Sequence, residues 1–528
     1  MMQTLGQFLD DACAQGGKRE AIAYAPAERV VERMSWIELQ QASRLAARRW
    51  LALGATKGVR VGLLCPNRSE WLPLAFGALR AGAVLVPLST LWKRDEIAYA
   101  LRHAEVELLV AVPSFLKHDY LAALAEILPG LASSGDEALP VPALPSLRRV
   151  LVLGASGSQI PSWNDAAIAS DADLVAVERL VEATDLATIF FTSGTTAQAK
   201  AVMHPHHALV TSAHRLAACF GISAADAWWG HMPLFWSGGF VLGALATIAG
   251  GGRIVLHESV TAAGALQLLA EERCTIMAGW HQAAPLLDHP DFDRDRVFLR
   301  KGTFHALAPR LMGPDNCTIG VYGMSETATC VTAARWDDPE PIRTGTFGKP
   351  LAGMELRIVN PETRQPRRSG ETGEILVRGE TLMLGYVGVP PGETFDAQGF
   401  FATGDLGYFD DDGQLHFANR LKDVIKTAGV NVAAAEVEEA LLRHPLVQAA
   451  HVVGVPDEAR GENIAAFVVT SGGVDLDELR AFCRSMLASY KVPKMVFVVE
   501  EDQVPRTGTG KVEKVALRRL AMARAGTD

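Results

Sequence analysis

Through the first four hundred residues, short apolar runs alternate with longer stretches whose apolar positions recur at helical spacing. "VGLLCP" (61–66) is followed by "SEWLPLAFGALRAG" (69–82), "AVLVPLS" (83–89), "RDEIAYALRHA" (94–104) and "VELLVAV" (106–112). Short runs bounded by turn residues are the signature of buried strands, and spacing of three and four that of helices, so the rhythm predicts β–α–β units. A parallel sheet with helices on both faces follows from it. Residues 129–147, rich in Pro, Ala and Ser, predict a surface connection between two such blocks. The opening "MMQTLGQFLDDACAQ" predicts an amphipathic helix; it lacks the basic and then apolar regions of a signal peptide.

The texture changes after about residue 340. "GMELRIVNPETRQPRRSGETGEILVRG" (353–379) and "GYFDDDGQLHFANR" (407–420) read as short strands broken by turns, the second carrying an Asp-Gly hairpin signal. From Asp423 an α+β piece of about a hundred residues is expected, with helices in "AAAEVEEALLRHP" and "DLDELRAFCRSML" and strands in "AAHVVGVP" and "NIAAFVVT". The predicted class is α/β: a large N-terminal domain of βαβ parallel sheets plus a β-rich subdomain, and a small α+β C-terminal domain. One stretch, Met232 to Gly252, carries no charge over a length that could span a bilayer. Its proline and two glycine clusters leave only "FVLGALATIA" as a good helix, so a buried core helix is expected instead of a membrane span.

Composition narrows the partners. With 528 residues, 49% of them apolar, the chain should form at least two cored domains. Sixty acidic against 50 basic residues, with no block of like charge, argue against nucleic acid or an anionic membrane surface as partner. An anionic ligand must then be met by a few placed cations. Seven scattered cysteines without CxxC spacing predict neither a disulfide frame nor a zinc site, and they fit a reducing cytoplasm.

Residues 192–200, "TSGTTAQAK", directly follow the apolar run "ATIFF" and precede the helical "HHALVTSAHRLAACF". A strand entering a hydroxyl- and lysine-bearing loop before a helix is a place where backbone N–H groups and a helix N-terminus can hold an anion. An ordinary polar turn would look the same. The stretch is no Walker A loop, because Ala199 stands where glycine is needed and Ala201 where a hydroxyl is needed.

The stretch resembles the phosphate loop of the adenylate-forming superfamily, the acyl-CoA synthetases, luciferases and peptide-synthetase adenylation domains, usually [YF]TSGTTGxPKG. Phe191, Thr192, Ser193, Gly194, Thr195, Thr196 and Lys200 match, while Ala197, Ala199 and Ala201 replace Gly, Pro and Gly. "VYGMSETA" (321–328), "ATGDLGYFDDDG" (402–413), "NRLKDVIKTAG" (419–429) and "PRTGTGKVEK" (505–514) follow in the family's order. With "PNRSEWLPLAFGALRAGAVLVPLS" near the start, the resemblance covers essentially the whole chain.

The resemblance implies an ATP-dependent carboxylic acid:CoA ligase: the carboxylate attacks the α-phosphate of ATP, pyrophosphate leaves, and the thiol of coenzyme A takes the acyl group. Thr192, Ser193, Gly194, Thr195, Thr196 and Lys200 would surround the phosphates. Glu326, with Thr192, would hold Mg²⁺, a hard cation that needs few protein carboxylates. Tyr322 would stack on adenine, with Gly323, Met324 and Ser325 beside the nucleotide and Thr327 near the α-phosphate. Asp405 would accept from the ribose hydroxyls, assisted by Arg420. Lys511 resembles the mobile catalytic lysine and Lys422 the hinge, which divides the chain into 1–421 and a mobile 422–528. In "GTFHALAP" (302–309), His305 and Ala306 map to an adenine-contacting turn, where His305 contacts adenine or caps the turn.

"AWWGHMPLFWSGGFV" and "IMAGWHQAAPLL" match the regions that line the family's acyl pocket, placing Trp236, Gly238, Gly239, Trp280, His281 and Gln282 near it. No Asp in the first and no Arg in the second disfavours amino acids and diacids, since an unpaired buried charge is costly. Gly323, where acetate-specific relatives carry tryptophan, implies an acid larger than acetate: a medium- or long-chain fatty acid, or an aryl or alicyclic one. Two other readings stay open, an adenylating enzyme that passes its acyl group to a carrier-protein thiol or to oxygen, and a nucleotide-binding pseudo-enzyme. The oligomeric state is open as well, with a homodimer among the options.

Overall fold

The computed structural model describes residues 2–129, 144–154, 160–192, 199–279, 283–427, 430–457, 461–487, 491–506 and 511–525. Among the described residues the chain forms two compact units, the first within 1–192, 199–355 and 378–399 and the second within 356–377 and 400–528. The β-rich segment therefore groups with the C-terminal residues, and compactness does not divide the chain at the expected 421/422 boundary. A reason is visible inside the second unit, where helix Ala434–Leu442 packs on strand Leu415–Arg420.

The first unit carries two seven-stranded sheets. In one, Val84–Pro87, Arg60–Leu64, Leu108–Ala111 and Arg149–Val152 pair in parallel. Leu186–Thr192 joins them in parallel through Leu85 and Thr188, and the edge continues antiparallel through Lys200–Pro205 to Gly385–Tyr386. In the other, Cys317–Ile319, Lys301–Thr303, Ile276–Met277, Ala227–Gly230, Arg253–His257 and Glu20–Ala25 run parallel, closed by antiparallel Glu32–Ser35. Their apolar runs are buried on both faces, as parallel strands between helix layers must be. Helix Trp71–Arg80 is buried at every position, which explains its all-round apolar sequence. Its last residue, Arg80, is buried only because Asp10 (2.5 Å) and Glu178 (2.8 Å) both pair with it. The expected N-terminal helix is Leu5–Gly16, closed by a capping box between Thr4 and Gln7, with Leu5, Phe8, Leu9 and Cys13 buried.

The uncharged stretch departs from expectation. Its helix starts earlier, at Gly238, and winds as a π-helix over Gly238–Leu245 before tightening to α over Ala246–Ala249. A Cβ on Gly243 would lie 2.2 Å from the Trp228 indole, so close packing requires glycine there. Among the described residues no helix is long and apolar enough to cross a membrane.

In the second unit, Met354–Val359, Gly373–Gly379, Phe401–Phe409 and Leu415–Arg420 form a four-stranded antiparallel sheet. Its Asp-Gly hairpin is as expected: Gly413 has φ +74°, and the Asp410 carboxylate accepts from Asp412 N (3.1 Å) and Gln414 N (2.8 Å). A 3₁₀ turn, Leu421–Asp423, leads to a sheet ordered Val430–Ala433, Val424–Thr427, Gly461–Thr470, Val447–Asp457, with Met495–Val498 parallel to Gly461–Thr470. Helices Ala434–Leu442 and Leu476–Met486 stand where the sequence predicts them. All seven cysteines are free thiols.

Candidate active site

Strand Leu186–Thr192 runs as expected, but the element after the loop is not a helix. Residues Lys200–Pro205 form a strand antiparallel to it, with Lys200 opposite Thr192, and helix His206–Phe220 begins only afterwards. The helix N-terminus therefore lies a strand's length beyond Lys200, roughly 16 Å at about 3.3 Å per residue. Its first N–H groups are already taken, His206 N by the Asp185 carbonyl (3.1 Å) and His207 N by the Ala183 carbonyl (2.9 Å). The anion-holding helix N-terminus expected here is thus corrected: what the fold offers is a hairpin mouth carrying a lysine and a threonine. Lys200 is exposed and Thr192 half-buried. Ser193, Gly194, Thr195 and Thr196 lie outside the described residues.

The lysine does not stand alone. Its Nζ sits 4.7 Å from the ring centroid of Tyr386, whose hydroxyl donates to Glu326 Oε1 at 2.8 Å. Tyr386 had no place in the sequence reasoning; a signal for it exists only as an aromatic in a two-residue strand, Gly385–Tyr386, paired with the lysine strand. Its hydroxyl proton is held tightly: burial and then the Glu326 charge push its pKa well above the usual tyrosine value.

Glu326 lies in the 3₁₀ turn Ser325–Thr327 that closes the hairpin of Val321–Met324 and Thr329–Ala333. The turn is tight, with Ala328 at φ +48° and Thr329 at φ +86°, and neighbouring polar groups hold it. His204 Nε2 donates to the Ser325 carbonyl (2.6 Å), Ser212 Oγ to the Ala328 carbonyl (2.7 Å), and Met383 N to the Glu326 carbonyl (2.8 Å). His204 is fully buried; burial lowers its pKa to about 4, against the opposing effect of the Ser325 bond, so at neutral pH the imidazole is uncharged. Thr327, expected near the α-phosphate, is 0% exposed, and its Oγ1 lies 2.9 Å from the Thr329 carbonyl and 3.0 Å from that of Met324 while accepting from Met324 N. Its hydroxyl holds the turn.

Tyr322 is 6% exposed. Gly323 lies in the same hairpin. A Cβ there would fall 1.7 Å from the Thr329 carbonyl oxygen and 2.5 Å from Cys330 Cα, across a bulge in the hairpin. Glycine is needed by the hairpin itself, so its presence says little about the size of an acyl pocket.

The segment expected to line an acyl pocket reaches the same turn, since Ser237 Oγ lies 3.1 Å from Ser325 Oγ. Trp236 is half-buried and packs edge-on against Phe235, with ring centroids 5.5 Å apart, whereas Trp228 and Trp229 are core. Gly239 is demanded by the Pro233 carbonyl, 2.0 Å from a Cβ built there, and Gly238 faces the Met232 sulfur at 2.9 Å. Buried Asn67 fixes this segment from outside it, donating to the Gly230 (2.8 Å) and Met232 (2.9 Å) carbonyls and accepting from Leu234 N (2.9 Å). Trp280, His281 and Gln282 lie outside the described residues. His305 is exposed and its Nδ1 accepts from Leu307 N at 3.1 Å, capping the turn; Ala306 beside it is exposed.

In the second unit, Asp405 and Arg420 are cross-strand partners, with Arg420 Nε 3.4 Å from Asp405 Oδ1 and Asp405 6% exposed. Asp405 N also donates to Thr403 Oγ1 (3.1 Å). Lys511 is exposed, next to an isolated bridge between Arg506 and Val512. Lys422 lies in the 3₁₀ turn Leu421–Asp423.

Among the described residues no group of three or more His, Cys, Asp or Glu could hold a metal ion. A divalent cation would therefore depend on the Glu326 carboxylate and on oxygens brought by a phosphate, a donor set that fits Mg²⁺ and not zinc.

The family of AMP-binding enzymes matches residues 9–387, and the AMP-binding enzyme C-terminal domain matches 436–511. The acyl-CoA ligase SID4 of Ajellomyces capsulatus is 31% identical, covering 99% of this chain and 92% of that protein. The 3-[(3aS,4S,7aS)-7a-methyl-1,5-dioxo-octahydro-1H-inden-4-yl]propanoyl:CoA ligase of Rhodococcus jostii is 34% identical, covering 87% of this chain and 88% of that protein. In fold the chain matches the anthranilate CoA ligase AuaEII, solved with anthranoyl-AMP, at a TM-score of 0.83 and 24% identity over 99% of this chain and 98% of that one. With two successive domain matches and full-length relatives of this kind, the chain belongs to the AMP-binding enzymes of the adenylate-forming superfamily and is an AMP-forming acid–thiol ligase of the acyl-CoA synthetase type.

Proposed function

We propose that this ligase activates a ring-bearing carboxylic acid larger than acetate, first as its adenylate with loss of pyrophosphate and then as its coenzyme A thioester with loss of AMP. The observation that carries the ATP-dependent step is the meeting of Lys200 and Glu326 at Tyr386: a cation on the ring of one tyrosine and a carboxylate on its hydroxyl. Adenylyl transfer needs positioning and charge neutralisation more than covalent help, and these are the groups for it. The ammonium of Lys200 offsets charge on the departing pyrophosphate. Glu326 and Thr192 hold Mg²⁺, which when bound supplies further neutralisation of phosphate charge. Tyr322 packs against adenine, Asp405 accepts from the ribose hydroxyls with Arg420 assisting, and Lys511 meets the converging carboxylate and α-phosphate.

The ring preference rests on Trp236, a half-buried indole next in sequence to Ser237, which meets Ser325, and on the bicyclic acyl group in the name of the Rhodococcus jostii relative. The test is a panel of aryl, alicyclic and straight-chain acids with ATP, Mg²⁺ and coenzyme A, reading pyrophosphate and AMP. Ring-bearing acids should give the highest kcat/KM, AMP release should require coenzyme A, and Lys511→Ala should slow pyrophosphate release by about 10²–10³-fold. A straight-chain acid turning over fastest would refute the substrate class, and coenzyme A-independent AMP release would refute the acceptor.

A further inference from the structure

Tyr386 is 7% exposed and touches two groups of opposite charge in different ways. Its ring face lies under the Lys200 ammonium at 4.7 Å, and its hydroxyl donates to the Glu326 carboxylate at 2.8 Å. Lys200 and Glu326 thus each meet the tyrosine, one at its ring and one at its hydroxyl. The segment that carries Tyr386 is stitched to both sides: Leu384 N donates to the Met203 carbonyl (2.8 Å), Val387 N to the Ala201 carbonyl (2.9 Å), and Met383 N to the Glu326 carbonyl (2.8 Å). The ring is thereby fixed to the backbone of the lysine strand and to the carboxylate's turn at once.

We infer that Tyr386 is a positioning residue that keeps Lys200 and Glu326 apart and ready for a metal–triphosphate. A lysine and a glutamate that both reach one side chain would, without it, be free to pair with each other, and the site would have to break that pair before binding its ligand. A ring face attracts the cation without neutralising it, and a phenol proton orients the carboxylate without taking its charge. Both charges stay available, one for phosphate and one for the cation that accompanies it. The inference rests on the ATP-dependent reading above and adds a residue to it.

Two substitutions separate the two contacts. Tyr386→Phe keeps the ring under Lys200 and removes only the proton donated to Glu326; Tyr386→Leu removes both. Calorimetric titration with ATP, with and without Mg²⁺, reads binding independently of turnover. Tyr386→Phe should weaken Mg²⁺·ATP binding about tenfold while leaving metal-free ATP binding unchanged, and Tyr386→Leu should weaken both. Equal weakening of both ligands by Tyr386→Phe would mean a merely structural tyrosine, and no weakening of either would mean no role; each overturns the inference while leaving the ligase reading intact. Wild-type protein that binds no ATP under either condition would overturn the reading on which the inference rests.

Discussion

At the scale of single residues, Gly323 separates two explanations that sequence alone cannot tell apart. A small residue beside an acyl pocket suggests room for a large substrate, but here a Cβ would strike the Thr329 carbonyl at 1.7 Å, so the hairpin demands glycine whatever the substrate. Gly323→Ala should therefore cost stability, about 1–3 kcal/mol as for other overpacked sites, and leave the order of preferred acids unchanged. Unfolding midpoints together with the acid panel decide the matter: a stable variant with a narrowed substrate range would restore the pocket-size argument. The charged residues were easier to read. Lys200, Glu326, Asp405 and Arg420 were all nameable from their motifs, and the structure pairs Asp405 with Arg420 and brings Lys200 and Glu326 to one tyrosine. Tyr386, His204, Ser212 and Asn67 were not, because each acts through a contact with a residue distant in sequence, as His204 does through Ser325.

Elements were legible wherever one periodicity ran unbroken. Helices Trp71–Arg80 and Arg94–His103 and strands Arg60–Leu64 and Leu108–Ala111 fall inside the stretches that predicted them. The misreadings came where local pattern and pairing disagree. "KAVMHP" lacks strict alternation, so its identity as a strand depends on partners on both sides, Leu186–Thr192 and Gly385–Tyr386. The π-helical winding over Gly238–Leu245 likewise depends on contacts its own sequence does not contain. The 3₁₀ turn Leu421–Asp423 offers a test of the hinge proposed at Lys422. Its φ values should already suit proline, so Lys422→Pro fits the turn as it stands and removes rotation about that bond. Pyrophosphate release on mixing acid and ATP should survive in this variant while thioester formation fails; equal loss of both half-reactions would rule out a pivot at this position.

Over the whole molecule, the change of texture near residue 340 foreshadowed the second unit, yet the assignment of residues 356–377 and 400–421 to it rests on pairing that no composition shift reveals. Stability should carry its own signature in the first unit, where His204, His206 and His257 are buried and held at pKa values of about 4, burial being the largest cause in each case. In the unfolded chain a histidine titrates near 6.5. Between those values the unfolded state binds more protons than the folded one, so their contribution is complete above about pH 6.5 and is lost as pH falls toward 4. Each histidine should contribute a slope of up to about 1.4 kcal/mol per pH unit. All ten tryptophans lie at or before Trp336 in the sequence, and the nine described ones fall within the first unit, so indole fluorescence during denaturant unfolding reads chiefly that unit. His206→Gln is the informative variant, because a glutamine oxygen can still accept from Leu5 N, now bound to His206 Nδ1 at 3.2 Å, while one titrating group disappears. Stability measured from pH 7 to 4.5 should fall less steeply in His206→Gln than in the native protein, by about one proton's worth of slope. Identical slopes would mean that this histidine titrates alike in the folded and unfolded chain.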